Sequence, residues 1–134
     1  MEEKMKVPIT ETIFGADERG FSAAPVSDEQ LKSVYNVHIV SLKPGAVRGN
    51  HYHEHQTEWI CVLGGPCKFA AVDRESGERM ELVFDGERCP QVAVEPGVSH
   101  AAKNTGEEVI YLLCYADQPL DRENPDVVRS VVLE

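Results

Sequence analysis

Short apolar runs alternate with turn residues along nearly the whole chain, and most runs have the length of a strand. VPITETIF reads as one strand ending at Phe14, stopped by GADERG, and Phe21 to Ser27 reads as irregular. SDEQLK (27–32) is the one convincing helix start, with Ser27 placed to cap it and Gln30 three residues on, though it allows only a turn or so. From there the pattern is β. SVYNVHIVSL (33–42), NHYH (50–53), EWICVL (58–63), CKFAAVD (67–73), RMELVF (79–84), QVAVE (91–95) and VIYLLCYA (109–116) are the predicted strands. Pro44-Gly45, Gly64-Gly65, RESGE, Asp85-Gly86, Pro96-Gly97 and Thr105-Gly106 separate them, and Asp85-Gly86 reads as a hairpin turn. The tail, DQPLDRENPD followed by VVRSVVL, is a loop with one last strand.

About seven to nine short strands with glycine-bearing turns roughly every ten residues predict an all-β sandwich or small barrel. No long helical stretch is present to cross between parallel strands. EWICVL and VIYLLCYA are apolar at successive rather than alternate positions, so both faces of those strands need cover, from a second sheet or another subunit. With no repeat and no low-complexity segment, residues 1–134 read as a single domain, its barrel over about 33–116.

Charge changes the picture by exclusion. A formal net charge of −10, with 13 basic residues scattered among 23 acidic ones, offers no stripe for a phosphate backbone, so no nucleic-acid partner is expected. No run approaches the roughly 18 apolar residues of a membrane span, and MEEKMKVPIT lacks the apolar stretch of a signal peptide. No membrane association is expected and the cytoplasm is the default location. The four cysteines form no C-x-x-C pair. Cys61 and Cys114 sit in apolar runs, and buried thiols are expected throughout, with a Cys67–Cys89 bridge the alternative.

The chemistry concentrates in GNHYHEHQTEW (49–59), which holds three of the five histidines. In an extended strand His51 and His53 project from one face and Tyr52 from the other. Two adjacent imidazoles satisfy part of a cation's demand for donors about 2.0–2.2 Å from one point, and Glu58 can fold back toward it. The competing reading is a solvated, histidine-rich turn. His55 lies where the chain must turn and reads as a rim residue rather than a ligand. A second segment, EPGVSHAAKN (95–104), places His100 just after a turn at the start of a strand.

Together the segments follow two spacings, G-x5-H-x-H-x4-E-x6-G from Gly45 to Gly65 and P-G-x2-H-x3-N from Pro96 to Asn104. They resemble the two motifs of the cupin superfamily, the second departing upstream where Cys89 and Glu95 replace the usual Gly and Pro. The resemblance covers roughly half of the chain and implies an antiparallel jelly-roll barrel, commonly a homodimer. It also implies a single divalent transition metal (Zn, Mn, Fe, Ni, Co or Cu) on His51, His53, Glu58 and His100. The donor types do not choose among those metals.

DERGF (17–21), VRGNHYH (47–53) and AAVDRESGE (70–78) are similar to segments of dTDP-sugar 3,5-epimerases and dTDP-keto-sugar isomerases. RGNHYH and the ENPD tail (123–126) resemble the cupin module of capsular-polysaccharide reductase/epimerases. The 3,5-epimerases carry Gln where this chain has His53, and a Lys on the following strand, which Glu58 to Leu63 lacks. The resemblance thus implies an isomerase or epimerase for a nucleotide-linked keto sugar in polysaccharide biosynthesis, with either a metal site in place of the metal-free proton-transfer set or a different arrangement of the chemistry.

Removing a proton beside a ketone needs a base within hydrogen-bond reach, for which His55, Tyr52, Tyr111 and Tyr115 are the candidates, His55 first. Arg48 is a candidate clamp for a diphosphate, with a surface ion pair as its plain alternative. Tyr111 and Tyr115 read as barrel packing before catalysis, and Trp59 as a core or interface residue. The same ligands would suit a non-haem dioxygenase acting on a small organic substrate, or a cupin that binds a small molecule without turning it over. An apolar interior favours the former; a cavity with Arg48, Lys103 and hydroxyl groups favours a phosphorylated sugar.

Overall fold

The computed structural model describes residues 7–134, so the expectation of no leader at the extreme N-terminus falls, for residues 1–6, outside the described residues. The chain forms β1 (Ile9–Thr10), β2 (Ile13–Asp17), β3 (Gly20–Ala24), the short helix α1 (Asp28–Leu31), β4 (Asn36–Leu42), β5 (Val47–Tyr52), β6 (Glu58–Leu63), β7 (Cys67–Asp73), β8 (Arg79–Phe84), β9 (Gln91–Val94), β10 (Val98–Asn104), β11 (Ile110–Ala116) and β12 (Val128–Arg129). Ser27 caps α1 as expected, its Oγ accepting from the Gln30 N–H at 3.1 Å.

Two five-stranded sheets, in the orders β1-β9-β6-β11-β4 and β12-β5-β10-β7-β8, face each other. Every pairing is antiparallel. From β4 onward successive strands pass from one sheet to the other, except at the β7–β8 hairpin. This is the jelly-roll barrel expected of a cupin. Inward rows from both sheets, including Leu42, Ile60, Val62, Phe69, Val92, Val94, Ile110 and Leu112, make the core. All four cysteines are free and buried. No helix among the described residues is long and apolar enough to cross a membrane.

Four expectations about elements change. VPITETIF is two strands rather than one: Ile9 pairs with Val92, whereas Ile13 turns away to pair with Ala24. Between them the Thr12 hydroxyl donates to the Cys89 carbonyl at 2.9 Å, fastening the bend. GADERG does not end a strand but forms the tip of a hairpin, so the supposedly irregular Phe21 segment is β3. The strand carrying the early histidines starts at Val47, and His53 lies just past its end. Asp85-Gly86 is no hairpin turn, since β8 pairs with β7 alone and β9 with β6 and β1. It passes instead between the sheets, pressed on the parallel crossing at Gly64-Gly65, where a Cβ on Gly65 would stand 2.7 Å from the Asp85 carbonyl carbon.

Candidate metal centre

Antiparallel register brings the distant histidine segments together, because His51 on β5 lies directly opposite His100 on β10. His53 follows β5, and Glu58 opens β6 in the facing sheet. One ligand atom from each of the four residues lies within 4.8 Å of those of the others. The imidazole centroids are 4.9 Å apart for His51 and His53, 4.8 Å for His51 and His100, and 5.2 Å for His53 and His100. His53, Glu58 and His100 are only 2%, 6% and 2% exposed, and His51 is partly buried. The solvated-turn reading therefore fails for the pair and holds only for Glu54 and His55, which are exposed.

Two hydrogen bonds fix which nitrogens face the centre. His53 Nδ1 lies 2.6 Å from the Asp126 carbonyl oxygen and His100 Nδ1 lies 3.0 Å from that of Val98. A carbonyl only accepts, so each Nδ1 must carry its proton, and in the neutral ring Nε2 is a bare lone pair. Both Nε2 atoms are buried without any hydrogen-bond partner. Each stands 3.7 Å from a different oxygen of Glu58. That gap is too long for a hydrogen bond, yet donors about 2.1 Å from one ion stand roughly 3–3.5 Å apart at tetrahedral or octahedral angles. Lone pairs and a carboxylate converging at one buried point repel one another unless a proton or a cation sits between them. The donor set fits a divalent transition metal.

Protonation equilibria show that a proton competes for the same point. Burial pulls His51 down most, helped by the neighbouring His100 and His53 charges, to about 4. Burial opposes charge at His53 too, but the Glu58 carboxylate beside it outweighs that and raises its pKa above the usual imidazole range. Glu58 has burial working against ionisation, yet His100 and His53 hold it well below the usual carboxylate range.

The four residues form the floor of a cavity of about 290 Å³. Ile60, Phe69, Ala102, Leu112 and Cys114 make its apolar wall, while Asn36, His38, Arg48, Gln56, Asp121 and Asn124 add polar groups. Arg48 lines the cavity, its Nε donating to the Ser41 carbonyl at 2.8 Å. Lys103 does not line the cavity and donates to the Glu134 carbonyl. None of the proposed bases lines it. His55 sits on the exposed loop after β5, and Tyr52 projects from the other face of that strand, its ring 3.9 Å beneath the Arg74 guanidinium carbon. A run of alternating side chains cannot send Tyr52 inward when its neighbours His51 and His53 point there.

Tyr115 lies on the outer face, its hydroxyl bonded to Gln91 and to the Pro25 carbonyl and its ring stacked on Trp59 at 5.9 Å, while Tyr111 is exposed. Sequence reasoning missed His38, an exposed residue on the cavity-lining row of β4, and the cavity edge between Pro119 and Val127. Alternation with Val40 and Leu42 would have turned His38 inward, whereas the tail carries no periodicity to read.

Comparison with known proteins agrees with this architecture. The chain is 35% identical over 91 residues to the UDP-2-acetamido-2,6-beta-L-arabino-hexul-4-ose reductase of Pseudomonas aeruginosa, a match covering 68% of this chain and 24% of the reductase. A dTDP sugar isomerase of Desulfovibrio desulfuricans superposes with a TM-score of 0.80 at 16% identity, over 93% of this chain and 83% of that one. ChmJ, a 3'-monoepimerase of Streptomyces bikiniensis, superposes with a TM-score of 0.73 at 19% identity, over 91% of this chain and 70% of that one. Barrel, paired histidine segments and a sequence match over residues 16–128 place the chain in the polysaccharide biosynthesis C-terminal domain family.

Proposed function

We propose that this chain is a metal-dependent isomerase or epimerase for a nucleotide-linked keto sugar in polysaccharide biosynthesis, acting in the cytoplasm as a single-domain homodimer. The observation that carries the reading is the pair of bare, buried Nε2 atoms of His53 and His100, both aimed at Glu58 beneath an open cavity. His51, His53, Glu58 and His100 would hold one divalent transition metal. Bound there, it supplies positive charge for the oxyanion that develops when a proton leaves the carbon beside a ketone, worth several kcal/mol of barrier.

The chain's own groups do the remainder. Arg48, tethered through Nε, keeps its other guanidinium nitrogens for a diphosphate. His38 supplies, within the cavity, the imidazole that His55 does not, and takes the role of proton acceptor and donor. The apolar wall excludes water from the reacting carbon. Asn36, His38, Arg48 and Asn124 give the cavity polar groups that a hydroxyl-rich, charged substrate can use and a purely apolar one cannot, which favours a sugar over the substrates of a dioxygenase.

The test is solvent deuterium exchange into a panel of nucleotide-linked 4-keto sugars, with metal-loaded and chelator-treated protein. Exchange that disappears on chelation and returns with added metal is the expected outcome. Exchange unaffected by chelation overturns the metal dependence. No exchange, with oxygen uptake on small organic substrates, overturns the sugar reading in favour of a dioxygenase.

A further inference from the structure

The loop joining the two ligands His53 and Glu58 is held almost entirely by the chain's tail. Its four successive backbone N–H groups all donate to tail carboxylates. Glu54 reaches one Asp126 oxygen at 2.7 Å, and His55 and Gln56 reach the other at 2.9 and 3.0 Å. Thr57 donates to Asp117 at 2.9 Å. The Asp126 backbone carbonyl meanwhile takes the His53 Nδ1 proton at 2.6 Å. One residue thus grips the loop by its side chain and orients the ligand by its main chain. Beyond it β12 pairs with β5 beside His51, and Asn50 binds the main chain at Val132 and Leu133, so the strap is anchored downstream of Asp126 independently of it.

We propose that Asp126 is a positioning residue of the metal centre, locking His53 in the tautomer that presents Nε2, so that docking of the 117–127 strap and metal binding stabilise one another. This inference rests on the metal reading of the site. Loss of a partner that fixes a histidine's second nitrogen typically changes metal affinity by about 10–100-fold, which is the upper bound for a change that only loosens the carbonyl's hold by freeing the loop. Linkage makes the effect reciprocal: an ion that prefers the oriented imidazole must also hold the strap down.

Cobalt(II) is the probe, because its visible absorption reports ligand geometry as well as occupancy. Its affinity is measured by chelator competition on the wild-type chain, Asp126→Ala, Asp126→Asn and His53→Ala. Asp126→Ala keeps the main-chain carbonyl but frees the 54–56 loop, so it is expected to bind more weakly, by up to about tenfold, with an altered spectrum, and Asp126→Asn, which keeps one acceptor oxygen, to fall between it and the wild type. Cobalt is also expected to slow proteolysis within 117–127 in the wild type and much less in Asp126→Ala. Should Asp126→Ala fail to fold, the same comparison on Asp126→Asn decides. Affinity and spectrum within twofold of wild type in the folded variants overturn the positioning role while leaving the metal site standing. A wild-type chain that binds no cobalt overturns both, and His53→Ala marks the floor against which a partial loss is read.

Discussion

At the scale of single residues, burial decides which groups keep their charge. The centre holds Glu58 ionised only because imidazoles face it, whereas thiols elsewhere in the barrel have no such company. Burial, with a small push from Cys89, drives Cys61 up to about 12, and burial drives Cys67 to about 11, against an ordinary 9.0. For an acid whose pKa is raised by folding, the stabilisation is complete below pH 9 and is lost as pH climbs toward the folded value. Urea unfolding at pH 8 and pH 10 is therefore expected to show a loss of up to about 1 kcal/mol per such thiol. Cys67→Val should remove its share, and equal stability of wild type and variant at both pH values would contradict the assignment. Native thiols should likewise label slowly at neutral pH. The clustering of the histidines was legible at this scale because the two-residue period of a strand forces His51 and His53 to one side. His38 was not, since a single histidine in SVYNVHIVSL gives no pattern of its own.

At the scale of elements, the pairing of β5 with β10 sets the candidate metal centre, and Gly49 permits it. A Cβ at Gly49 would lie 2.7 Å from the His100 carbonyl oxygen and 2.9 Å from Ala101 Cα, on a backbone with φ of +100°. These are main-chain atoms, which cannot swing aside. Gly49→Ala should cost about 1–3 kcal/mol from crowding alone. Because the strain falls where His51 faces His100, the variant should also lose metal, seen as reduced metal per chain at an otherwise unchanged purification. Retained stability with full metal content would show that the strands can shift freely. Strands 58–63, 67–73 and 79–84 were readable to the residue from their glycine and proline boundaries. Their partners were not. Asp85-Gly86 has the composition of a hairpin turn, and only the placement of β8 and β9 in different sheets makes it a crossing. The tail was hardest, because it acts through backbone carbonyls and two aspartates rather than through an apolar face.

At the scale of the whole molecule, the cover required by successive apolar residues is supplied unevenly. The outer side of the first sheet is closed around Tyr115 and Cys61, while Tyr35, Val37 and Ile39 on or beside the edge strand β4 remain 66%, 62% and 65% exposed. Tyr111 on the adjoining strand continues the patch, and the outward row of β4 and β11 contains no charged residue. In a chain of net charge −10, this uncharged area is where a second copy could approach without bringing acidic groups face to face. Ile39→Glu is expected to halve the mass found by light scattering, with metal content unchanged. A wild-type chain that is already monomeric would remove the homodimer from the proposal.

Alternation of strands between the sheets has a consequence in time. His51 and His100 come from opposite halves of the chain, and Glu58 reaches them from the facing wall, so no local fragment can assemble the donors. A newly made polypeptide would gain its full grip on an ion only once the barrel had closed, and occupancy of the centre would then serve as a record that folding had finished.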